Sequence, residues 1–290
     1  MPDFMLDDAT PPDPRHGWGG LGTAARDACY DNTNGVATSA EQIAERNAAS
    51  AIYRAAHPDA LDIPYGPRER NAIDLYPVAD PTAPCLVFVH GGYWQRNARE
   101  DFACFAEGPN AAGWSVAMPG YTLAPEASLT EIVAEIGAAL DWIGREGPAH
   151  GIAGPIVLSG WSAGGHLVGM LLEHPVVAAG LAISGVYDLA PIRETYLNEK
   201  MRFTDEEVAS LSPLRRPHAP KPLCVTYGTR ELPALVHDSR NLHAARSAAH
   251  LPGALWPVPG ADHFSILGGL RHPEGELMRA AKSVLPRAAA

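Results

Sequence analysis

The residues best suited to chemistry are Gly160-Trp161-Ser162-Ala163-Gly164, which have the form G-x-S-x-G. An apolar run ends just before them and a second apolar run follows. Strand, sharp turn and helix are what a nucleophile elbow requires. The small residues at 160, 163 and 164 let the backbone pass close to its neighbours while Ser162 points into a cleft. The helix start also sets free N–H groups and a positive dipole end beside the serine. A hydroxyl is a weak nucleophile until a base takes its proton. The chain order serine, acid, histidine selects His263, in a loop after the last strand-like run. His166, His174, His237, His243 and His250 fall on predicted helices, and His218 and His272 neighbour prolines in loops. The carboxylate that orients His263 should follow the strand-like run 223–227, and Glu231 is placed three residues beyond its end. Asp238, further into the next helix, is the main rival. Asp262 adjoins His263 too closely to orient it and reads as a turn residue, and Asp188 as a loop brace.

His90-Gly91-Gly92-Tyr93-Trp94 follows directly on another apolar run, Cys85 to Val89. Glycines there free backbone N–H groups to face a developing oxyanion. Gly92 and Tyr93 are the expected donors, with Ala163 supplying the N–H after the nucleophile. His90, ahead of the glycines at a strand end, suits a structural hydrogen bond better than base chemistry.

The elements that must hold these residues alternate. Strand-like runs at 60–65, 72–78, 85–89, 115–118, 156–159, 181–184, 223–227 and 254–258 are separated by helical patterns. The helical patterns cover 101–112, a face marked by Ile132, Val133, Ile136, Leu140 and Ile143, then 163–173, 233–249 and 274–284. Ser39 with Gln42, Ser128 with Glu131 and Thr204 with Glu207 have capping-box spacing, the first opening a helix over 40–56. About eight strands alternating with helices predict an α/β fold, with a mostly parallel sheet covered by helices on both faces. Residues 1–37, rich in Pro, Gly, Asp and Asn, read as an N-terminal arm or a lid segment, and 38–290 as a single domain.

Of the 290 residues, 22 are Lys or Arg and 33 Asp or Glu, a formal charge of −11 with no offsetting basic cluster. That balance excludes nucleic acid as an expected partner, because phosphate contacts need local Lys and Arg. No run of about 18 apolar residues offers a membrane span, and the acidic, Pro-rich start has no leader-like pattern. A cytoplasmic setting and a small-molecule ester or amide substrate are expected, with a homodimer compatible with both. Cys29, Cys85, Cys104 and Cys224 are widely spaced and read as buried thiols rather than a disulfide framework. No metal-ligand spacing is present, so metal and cofactor are both expected to be none.

These pieces together resemble the α/β-hydrolase superfamily, on the side of the hormone-sensitive-lipase-like esterases, and within it the arylformamidase (kynurenine formamidase) type. HGGYW at 90–94 is similar to that type's H-G-G-x-W motif, YTLAP at 121–125 to its Y-x-L-A-P segment, and GWSAGGHL at 160–167 to its elbow. Leu211-Ser212-Pro213-Leu214, Glu231 and Gly260-Ala261-Asp262-His263-Phe264 keep the usual order, so the likeness runs from about Tyr30 to Phe264. It departs at Trp161, where His is common, and at Glu231, where Asp is common. The resemblance implies an α/β-hydrolase fold and a cofactor-free serine hydrolase acting through Ser162, His263 and Glu231. Its implied substrate is an N-formyl aromatic amine, with N-formylkynurenine as the leading case. A formyl group needs little acyl space and tolerates a bulky Trp161. Trp94 and Trp161 are the substrate-binding candidates, Trp94 either as an aromatic wall or as core packing. A short-chain carboxylesterase with the same triad is the alternative, and a non-catalytic binding protein of the same fold is the second.

Overall fold

The structure is a computed structural model, and it describes residues 22–285. Eight strands form one sheet: β1 (Ile63–Pro64), β2 (Ala72–Tyr76), β3 (Cys85–Val89), β4 (Ser115–Pro119), β5 (Ile156–Trp161), β6 (Val177–Ile183), β7 (Leu223–Gly228) and β8 (Gly253–Val258). Their order is β1-β2-β4-β3-β5-β6-β7-β8. β1 and β2 pair antiparallel, β2 and β4 likewise, and all the remaining pairs are parallel. This is the α/β-hydrolase arrangement, with the parallel part flanked on both faces.

The strands read as continuous apolar runs because both faces are covered. β3 shows the consequence within five residues: Val87 and Val89 face one core cluster, Leu86 and Phe88 the other. The first cluster lies under the helices Leu129–Glu146 and Ala163–Leu171, the second under Glu276–Val284 and the 3-10 turn Arg99–Ala106. Each fully buried Leu or Phe contributes about 1.5–3 kcal/mol. The capping boxes Ser128–Glu131 and Thr204–Glu207 form as spaced.

Several expectations need correction. β1 covers two residues rather than 60–65, since Pro64 donates no ladder hydrogen bond, and single bonds from Tyr65 to Asn71 and from Leu75 to Ala60 flank it. The stretch 101–112 is a 3-10 turn followed by a short α-helix, Glu107–Ala111. Ser39 does not cap its helix; Thr38 holds the N-cap position, and the Ser39 hydroxyl donates to the Thr33 carbonyl instead. Within 1–37, the helices Thr23–Tyr30 and Asn32–Gly35 occupy what the sequence showed only as loop-like composition; residues 1–21 of that proposed arm lie outside the described residues. All four cysteines are free, and three of them are buried. Among the described residues, no helix is long and apolar enough to cross a membrane.

Candidate active site

The carboxyl ends of the parallel strands carry the site. β3 ends at His90-Gly91-Gly92, β5 at Ser162, β6 at Ser184, β7 three residues before Glu231, and β8 five residues before His263. Ligands in open α/β sheets collect at this edge. Ser162 sits between β5 and the helix Ala163–Leu171 with φ 58° and ψ −116°. A non-glycine residue in that region costs on the order of 1–3 kcal/mol, held here by the packing around it. The packing depends on missing side chains. A Cβ on Gly164 would stand 2.0 Å from the Val89 carbonyl oxygen, and one on Gly91 would stand 2.8 Å from the Ser162 Cβ.

His263 is buried, and its Nδ1 donates to Glu231 Oε2 at 2.9 Å. In the neutral imidazole that bond fixes the tautomer and leaves the Nε2 lone pair able to act as a base. The other carboxylate oxygen, Oε1, accepts from the Gly228 N–H at 2.6 Å and from the Ser184 hydroxyl at 2.5 Å. Three donors therefore hold a fully enclosed Glu231 side chain. Ser162 and His263 line one pocket of about 40 Å³, together with Asn32, Gly92, Tyr93 and Trp161.

The rival carboxylates are engaged elsewhere. Asp238 accepts from the amides of Tyr187 and Asp188 at 2.6 and 3.3 Å, and burial pushes its carboxyl up to about 7. Asp262 accepts from the amides of Phe264 and Ser265, closing the turn that presents His263. Asp188 pairs with Arg215. His90 donates from Nδ1 to the Gly91 carbonyl and stacks on Tyr121, ring centres 4.3 Å apart. Burial pulls its pKa down to about 3, so it stays neutral.

Gly92 and Tyr93 face the same pocket, and no acceptor among the described residues takes up either N–H. Ala163 is the first residue of its helix, where the N–H has no intrahelical partner. Tyr93 is held at φ 49° by its hydroxyl, which accepts from Asn32 at 2.9 Å and donates to the Tyr30 carbonyl at 2.8 Å. Trp161 donates from Nε1 to the His263 carbonyl at 2.8 Å, with its ring 4.7 Å from the imidazole. It therefore braces His263 as well as lining the pocket.

Trp94 is not brought to the pocket. It is 0 % exposed and packs edge-on against His166 and Phe203. The reversed backbone at Tyr93 and Trp94, with φ 49° and 58°, turns consecutive side chains in different directions, and only Tyr93 lines the pocket. Of its two sequence readings, core packing is the one found.

The BD-FAE family model matches residues 73–174. The kynurenine formamidase of Danio rerio is 29% identical over 71% of this chain and 75% of its own length. That of Salmo salar is 30% identical, over the same shares. The chain belongs to the kynurenine formamidase family. A solved structure from Silicibacter sp. tm1040 superposes with a TM-score of 0.79 at 29% identity, covering 88% of this chain and 98% of that one. Family membership makes the protein a hydrolase of amide or ester bonds.

Within this formamidase-family chain, sequence reasoning missed Ser184 and Asn32. Ser184 carried a weak signal, as a polar residue ending an apolar run beside the acid's strand. Asn32 carried none, because its partner Tyr93 is 61 residues away.

Proposed function

We propose that the protein is a serine hydrolase cleaving N-formyl aryl amides, with N-formylkynurenine-like compounds as substrates, through Ser162, His263 and Glu231. Ser162 Oγ attacks the formyl carbon while His263 Nε2 takes its proton. Glu231 holds the imidazole tautomer and stabilises the imidazolium. The N–H groups of Gly92, Tyr93 and Ala163 receive the oxyanion, each worth about 2.7–4 kcal/mol if lost. His263 then protonates the departing amine, leaving a formyl ester on Ser162. Water, deprotonated by His263, releases formate and restores the hydroxyl.

The observation that carries this reading is the His263–Glu231 bond behind a pocket shared with Ser162 on a strained turn. The formamide preference rests on the two relatives, each a kynurenine formamidase. The test compares kcat/KM for N-formyl-L-kynurenine and p-nitrophenyl acetate, with Ser162→Ala as the blank. A many-fold formamide preference, absent in the variant, is expected. Ester turnover without formamide cleavage would reject the substrate class and favour the short-chain carboxylesterase.

A further inference from the structure

The chain carries a net charge of −11, yet no carboxylate lines the pocket at Ser162. The charged side chains on that lining, apart from His263, are Arg46 and Arg96. Arg96 is exposed, with its guanidinium 6.0 Å from the centre of the Tyr93 ring. Arg46 is different. It is 8 % exposed, on the buried side of the helix Ser39–Ala56.

A buried guanidinium is normally paired with a carboxylate, because an isolated charge out of water is costly. Arg46 has no carboxylate within 4 Å among the described residues. Its Nε and one Nη donate to the Asn47 side-chain oxygen at 3.0 and 2.8 Å. Its Cζ stands 4.1 Å above the Phe102 ring, which supports one face. Of the five N–H donors of an arginine, the rest have no acceptor among the described residues. Burial lowers its pKa, and the charge of Asp101, which makes no ion pair with it, offsets that only in part.

Arg46 also lines a second cavity of about 240 Å³, next to the first and sharing Ile43 and Phe264 with it. Arg271 in that cavity is neutralised by Glu107, at 2.8 and 3.1 Å, and by Glu45 at 3.6 Å, whose exposed carboxylate lines the outer part of the same cavity. Arg46 is therefore a buried cation without a paired carboxylate at the junction of the reactive pocket and the larger space. The larger space suits a leaving group, since the space at Ser162 is small.

We infer that Arg46 is an anion subsite which takes a carboxylate on the leaving group, making the enzyme selective for anionic amides or esters. This rests on the reactive-serine assignment but not on the formamide assignment. The planar guanidinium offers charge-assisted, paired hydrogen bonds that a neutral leaving group cannot use.

The test uses two substrate pairs on wild type and Arg46→Met: formanilide with 2-formamidobenzoate, and phenyl acetate with 2-acetoxybenzoate. Comparing enzymes within a pair cancels the intrinsic reactivity of each compound. The anionic-to-neutral ratio of kcat/KM should fall at least about tenfold in Arg46→Met, mainly through KM of the anionic member. Arg46→Lys should keep part of the ratio. An unchanged ratio in Arg46→Met overturns the subsite. If the formamides are inert and the ester pair shows the Arg46-dependent ratio, the formamide reading fails and the subsite stands. Benzoate titration against the tryptophan fluorescence, with benzamide as control, needs no turnover and no folded variant. Wild type should bind benzoate at least about tenfold more tightly than benzamide, and equal or absent binding overturns the inference.

Discussion

Replacing Glu231 by Gln tests the acid most sharply, because it changes one atom and the structure dictates where the change falls. Glu231 Oε1 accepts two donors, the Gly228 N–H and the Ser184 hydroxyl, while Oε2 accepts only from His263. The amide oxygen of a Gln must stay with the two donors, since turning it would set its NH2 against the buried Gly228 N–H. The NH2 then faces His263 Nδ1, and the imidazole relieves the donor–donor contact by moving its proton to Nε2. A protonated Nε2 cannot accept the Ser162 proton. A wrong tautomer of this kind lowers kcat by about 10⁴, or about 5 kcal/mol of transition-state stabilisation. Stability should change little, because every hydrogen bond is replaced by another. The assay is kcat on the better of the formamide and ester substrates, beside a thermal melt. A folded Glu231→Gln within about tenfold of wild type would refute the reasoning. So would Asp238→Asn producing the collapse instead.

Three further outcomes follow from the same geometry. Ser184→Ala removes a hydrogen bond to a charged acceptor, commonly worth about 1.5–3 kcal/mol, so kcat should drop on the order of tenfold with KM unchanged; an unaltered kcat would show that Gly228 and His263 hold Glu231 without it. Asp238 has its folded pKa raised from 3.8 to about 7 by burial, so the folded state holds an extra proton between those values. Its stabilising contribution is full below the lower value and lost as pH rises towards the upper one. Asp238→Asn keeps the oxygen that accepts both amides, so it should raise Tm over wild type at about pH 8 and by much less at about pH 4; equal gains would contradict the shift. Tyr93→Phe loses bonds to Asn32 and Tyr30, each worth about 0.5–1.5 kcal/mol, and should lower Tm by a few degrees while raising KM; an unmoved Tm would show that the turn at Asn32 is held by other contacts.

The parts of the site legible in the sequence are those whose positions follow from local pattern. Ser162 and Gly92 adjoin the apolar runs of β5 and β3, and such runs mark buried strands without reference to the rest of the chain. Glu231 and His263 follow β7 and β8 by three and five residues, a spacing that the apolar runs alone make readable. Misplaced elements lacked contrast. β6 begins at Val177, four residues before the run read from sequence, because Ala178, Ala179 and Gly180 give little signal. Contacts across long sequence separations were not legible at all: Ser184 with Glu231, Asn32 with Tyr93, and Arg46 over Phe102. Trp94 illustrates the same limit, since whether an aromatic after a glycine turn faces pocket or core depends on two positive φ angles that no local pattern specifies.

The central claim is that Ser162 is a nucleophile activated within this pocket, and its most direct test is covalent. The folded protein is treated with a fluorophosphonate, digested, and the modified peptide identified by mass spectrometry. A single adduct on the peptide containing Ser162, absent from Ser162→Ala and slowed strongly in Glu231→Gln, is the expected result. An adduct on another serine, or equal labelling of Ser162→Ala, would contradict the account.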